Sequence, residues 1–158
     1  MQRIGAPIDI TTPASASYRA CGLNSTLPNC PSPPGIVATA SNDGILHITG
    51  NTGSNAFAVA TVNLGISSAI TATANTAGTN LPLTLFLCQT NPTSGQCTSS
   101  IGTSVATTIN AGTTPTFAIF ANATGSIPFV PQTNRIFVQF TDASGAVRGL
   151  TSVAVETP

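Results

Sequence analysis

Asn134-Arg135-Ile136-Phe137-Val138-Gln139-Phe140-Thr141 runs into Asp142-Ala143-Ser144-Gly145 and then into Ala146-Val147-Arg148-Gly149-Leu150-Thr151-Ser152-Val153-Ala154-Val155-Glu156. Ile136, Val138 and Phe140 occupy alternate positions, so an extended chain presents all three to one face. The Asp-Ala-Ser-Gly segment supplies a side-chain acceptor and a glycine, the means of a tight reversal, and Val153 and Val155 return in register. This stretch reads as a β-hairpin.

The same period of two extends toward the N-terminus. Pro115 to Asn122 contributes Phe117, Ile119 and Phe120 after the turn Ala111-Gly112-Thr113-Thr114, and Ser104 to Asn110 places Val105, Thr107 and Ile109 together. Pro82 to Cys88 sets Leu83, Leu85 and Leu87 on one face against Thr84 and Phe86 on the other. Ala69 to Asn75 alternates Ile70, Ala72 and Ala74 with Thr71 and Thr73, and Ala56 to Leu64 precedes it. Further back, Ile36 to Ala40 and Ile45 to Thr49 flank Ser41-Asn42-Asp43-Gly44, whose Asp-Gly is a hairpin signal. These two runs are expected to form an edge hairpin or the first strands of the same sandwich. No apolar set recurs at i, i+3, i+4, i+7 over three turns, which argues against helix. Strands separated by turn signals predict an all-β, antiparallel sandwich.

Residues 1–34 differ. They hold six of the 12 prolines, and Cys30-Pro31-Ser32-Pro33-Pro34-Gly35 neither continues a helix nor donates to a central strand. This is a proline-rich N-terminal segment with a cystine loop, ahead of a β-sandwich domain over 35–158 with its core in 56–158. The four cysteines form two C-x8-C pairs, and local pairing, Cys21–Cys30 and Cys88–Cys97, is the simplest of three connectivities. Free thiols and a four-cysteine zinc site are the alternatives; zinc ligands usually come in more closely spaced pairs. Disulfides imply an oxidising compartment, and the expected location is extracellular or cell-surface. The N-terminus lacks the apolar core of a signal peptide, so an exported form is expected to be a processed chain or part of a longer one.

Charged residues make up 5% of the 158, against roughly 25% in an average domain, and formal net charge is zero. With four arginines and no lysine, the chain lacks the charge to displace phosphate counterions, so nucleic acid is excluded as a partner. A polybasic membrane contact fails for the same reason, and no apolar run reaches the roughly 18–20 residues of a membrane span.

Ile109 to Phe120, a strand, a glycine-containing turn and a Thr/Phe strand, resembles part of bacterial immunoglobulin-like modules of secreted or cell-surface proteins. Asn134 to Val155 resembles their closing hairpin. The likeness covers residues 56–158. It implies an immunoglobulin-like sandwich used as a structural, spacer or adhesive module, and it carries no active site. The chain has no Trp and no inter-sheet Cys…Trp…Cys pattern, so the antibody-type core is not implied.

Chemistry is sparse. Nucleophilic catalysis needs a base, and the single histidine, His47, lies in a strand run on the face of Ile45 and Thr49. Asp43 and Asp142 occupy turns, where aspartates cap backbone amides; Asp9 lies in the N-terminal segment and Glu156 near the C-terminus. A hydrolase would require two of these acids, or His47 with an acid, to converge. No catalytic, cofactor-binding or metal site residue is therefore assigned, no cofactor is expected, and the chain is expected not to be an enzyme. The expected partner is a protein, or another copy, engaged through strand edges or loops. The alternative is a carbohydrate- or ligand-binding module using the loops Asn75–Leu81 and Gly125–Gln132. Phe129 in the second loop is expected as a tucked-in anchor. The sequons at Asn24 and Asn122 would accept glycans only in a host with that machinery.

Overall fold

The computed structural model describes residues 35–158. The 1–34 segment, with the Cys21–Cys30 pair and the Asn24 sequon, lies outside the described residues.

Alternation decides the local structure. Nine strands form among the described residues, with no helix: β1 (Gly35–Ala38), β2 (Ile45–His47), β3 (Ser54–Thr61), β4 (Ser68–Asn75), β5 (Leu83–Thr90), β6 (Ser104–Ile109), β7 (Thr116–Ala123), β8 (Arg135–Asp142) and β9 (Val147–Glu156). In β7, Phe117, Ile119, Ala121 and Ala123 are buried while the residues between them are half-exposed. Ile136, Val138 and Phe140 of β8 and Val153 and Val155 of β9 are buried as their spacing predicts. The 142–145 reversal places Gly145 at φ 84°, a backbone conformation that glycine adopts without steric cost.

The strands make two sheets, one of order β1-β3-β7-β5 and one of order β2-β9-β8-β4-β6. Every pairing is antiparallel except β2 with β9, which is parallel. A single cluster of buried side chains draws on both sheets, and at its centre Phe117 of the first meets Phe140 of the second, ring centroids 5.4 Å apart. Each such side chain taken fully out of water contributes about 1.5–3 kcal/mol.

Two connections depart from simple hairpins. The Ser41–Gly44 turn does not join a hairpin: β1 pairs with β3 in one sheet and β2 with β9 in the other. Asn42 at φ 55° and Gly44 at φ 75° steer the chain across the gap, and Leu46 and Ile48 are thereby buried against the second sheet. The second departure follows β5. Residues 97–102 fold back along it, Leu87 and Gly102 exchanging N–H···O bonds of 2.8 and 3.0 Å and the Thr98 N–H donating to the Gln89 carbonyl at 2.8 Å. A Cys88–Cys97 disulfide, Cα atoms 5.6 Å apart, closes this return, and the chain then changes sheets to form β6 beside β4. Of the two expected cystines, the second is therefore present.

The phenylalanines divide between the two faces of their strands. Phe57, Phe117 and Phe140 are buried, whereas Phe86 and Phe120 sit opposite each other on the outer side of the first sheet. Their positions have the opposite parity to Leu85, Leu87 and Ile119, so strand phase turns them outward.

Candidate functional site

The parallel pairing of β2 with β9 sets His47 opposite Glu156, and the preceding turn brings Asp43 back over the same ring. His47 Nε2 lies 2.8 Å from Asp43 Oδ2, and His47 Nδ1 lies 2.7 Å from Glu156 Oε1. The Ile45 N–H donates to Asp43 Oδ1 at 2.9 Å, and the Asn55 amide donates to the His47 carbonyl at 2.6 Å. The hydrogen bond to Asp43, reinforced by that to Glu156, raises the imidazole's affinity for its proton above the ordinary value, against a smaller opposing effect of burial. The hydrogen bond from His47 holds the Asp43 carboxyl below the usual carboxylate range. Side-chain exposures of 34% for His47, 32% for Asp43 and 19% for Glu156 place the group at the surface.

This convergence was the condition set for a hydrolase, and the geometry limits what it can do. A general base must aim a lone pair at its substrate. Here both ring nitrogens face carboxylates, and the ring stands between the acids, so the three groups do not converge on a common point. Among the described residues no three His, Cys, Asp or Glu side chains are arranged to hold a metal ion. The arrangement is an ionic clamp that ties the short edge strand β2 to the end of β9. The Asp43-x-x-x-His47 spacing across a turn hinted at one half of it; the Glu156 half depends on a parallel pairing between distant segments.

Asp142 caps its turn as expected. Its Oδ1 accepts the Ser144 and Ala146 N–H groups at 2.9 and 3.0 Å, and its Oδ2 receives Arg148 Nε and Nη2, each at 2.6 Å. The Ser144 hydroxyl, then Arg148, hold this carboxyl far below its ordinary range.

At the end of the sandwich near Glu156, the loops Asn75–Leu81 and Gly125–Gln132 come together. The Thr79 hydroxyl donates to the Thr133 carbonyl at 3.5 Å and the Thr124 N–H to the Pro82 carbonyl at 2.7 Å. Phe129 is not the anchor of its loop; it is 50% exposed. Ile127 takes that place, fully buried, its N–H on the Thr157 hydroxyl at 2.7 Å and its carbonyl accepting the Thr157 N–H at 2.9 Å. The second sequon residue, Asn122, is half-buried within β7. A groove on the outer side of β4 and β6 is lined by Ala69, Ile70, Thr71, Ala106, Thr107, Thr108 and Ala143, with no titratable group. No protein-family model and no curated protein matches the chain.

Proposed function

We propose that residues 35–158 form an immunoglobulin-like β-sandwich that serves, outside the cell or on its surface, as a non-catalytic spacer or adhesive module working through protein–protein contacts. The order β1-β3-β7-β5 corresponds to the A-B-E-D sheet of that fold, and β9-β8-β4 to its G-F-C sheet. One departure is that the chain visits the D place, β5, before the extra edge place beside C, β6. A second is that its cystine is local to β5 rather than between sheets. The disulfide accords with an oxidising compartment.

The observation that carries the contact reading is the uncharged outer side of the first sheet. Phe86, Phe120 and Ala56 line up across β5, β7 and β3, and Ala118 and Ala58 form the next row beside the buried Cys88. Contiguous apolar surface of this kind marks contact sites more often than isolated exposed side chains do. A second reading, a carbohydrate- or ligand-binding module, rests on the exposed Phe129 and Val130 beside the converging loops.

Beads coated with the protein separate the two. Adhesion to a cell or matrix surface that survives periodate oxidation of glycans and is lost on protease treatment of that surface supports protein contact. Loss on periodate, with signal on a glycan array, favours the second reading. Failure to adhere to any surface overturns both.

A further inference from the structure

The two sheets have four edges, and three of them carry something that hinders a new strand. The outer edge of β5 is occupied by residues 97–102 and pinned by Cys88–Cys97. The four-residue β1 packs against β9 where the chain crosses between sheets. The three-residue β2 carries the Asp43–His47–Glu156 clamp, whose charges would have to leave water before a new strand could dock. The fourth edge is β6, Ser104-Val105-Ala106-Thr107-Thr108-Ile109, which pairs only with β4 among the described residues. It has no charge, no proline and no bulge in its pairing with β4, so it lacks the devices that keep edges apart.

We infer that the open edge of β6 pairs antiparallel with β6 of a second copy of this chain, joining two five-stranded sheets into one. The inference rests on the protein-contact reading and names its partner. Backbone pairing is indifferent to most side chains, so charge and bulk decide what an edge accepts. Across a two-fold seam β6 opposes itself, Ala and Thr against Ala and Thr on the outer side, with no like charges to repel. The zero net charge of the chain removes long-range repulsion between copies as well. On the inner side, Val105 and Ile109 are already buried at the margin of the core and extend it across the seam. The two registers that keep the faces aligned and pair most of the strand set Ala106 of one copy against Ala106 or Thr108 of the other.

A six-residue seam is small, so sedimentation of the full chain is followed up to roughly 1 mM. The expected result is a rise toward twice the monomer mass, with amide exchange in β6 slowing as concentration rises. Ala106→Lys/Thr108→Lys, at two exposed positions, opposes like charges across the seam; it is expected to stay monomeric with an unchanged melting temperature. A wild-type protein that stays monomeric, with β6 exchange independent of concentration, overturns the inference. So does a folded double variant that associates as readily as wild type. Neither outcome touches bead adhesion to other proteins, which tests the underlying reading separately, and the exchange measurement stands even where the variant does not fold.

Discussion

Thr151 has a fully buried side chain whose hydroxyl finds no hydrogen-bond partner among the described residues. Burying a hydroxyl without a hydrogen-bond partner costs about 1–3 kcal/mol, and valine has nearly the same shape. Thr151→Val is expected to raise stability by about 1 kcal/mol, read as a higher urea midpoint at unchanged slope. His47 makes a pH prediction. Its folded pKa lies above the unfolded value of about 6.5, so its contribution is complete below that value and is lost as pH rises through the folded pKa. Asp43 is shifted down, so its share is present above about 3.8 and is lost as pH falls through its folded pKa. Urea midpoints are therefore expected to fall as pH rises from about 6.5 through the raised pKa of folded His47, and His47→Gln should flatten that slope. That His47 shares its face with Ile45 was readable from alternation. That Glu156 stands opposite was not, since nothing local in either segment names the other.

Among the elements, β5 and the return that follows it show what a short motif specifies. The C-x8-C spacing pointed to local pairing of Cys88 with Cys97, and that loop forms. Its consequence, a covered strand edge, emerges only with the backbone bonds between Leu87 and Gly102. Replacing both cysteines, Cys88→Ala with Cys97→Ser, is expected to cost about 2–3 kcal/mol in chemical unfolding, the loop-closure value for a ring of this size. Amide exchange at Leu87 should accelerate in the same variant, because the return strand loses its tether. The Asp43-Gly44 signal misled in a useful way. Turn chemistry specifies that the chain bends there, and Asn42 and Gly44 do take left-handed conformations. The direction of departure is set by where Leu46 and Ile48 find a core.

At the scale of the whole molecule, the two sheets are held together by side chains from strands far apart in sequence, with Phe117 against Phe140 at the centre. Phe117→Ala is expected to cost about 3–5 kcal/mol and to lower the thermal midpoint and the urea midpoint together, because the cavity lies between sheets rather than within one. Where most strands lie, and which face of a run such as β7 or β8 turns inward, was readable from the amino-acid order; that Ser152 and Ala154 on the other face of β9 are buried as well was not. A pleated chain alternates its side chains strictly, so a run such as Ile136, Val138 and Phe140 declares its own buried face without help from elsewhere. The sheet each strand joins, the parallel return of β2 onto β9, the meeting of Asp43, His47 and Glu156, and the place of β6 at the end of its sheet among the described residues were decided only by the tertiary structure. Backbone N–H and C=O groups are the same in every residue, so partner choice falls to the one arrangement that buries all the inward faces at once.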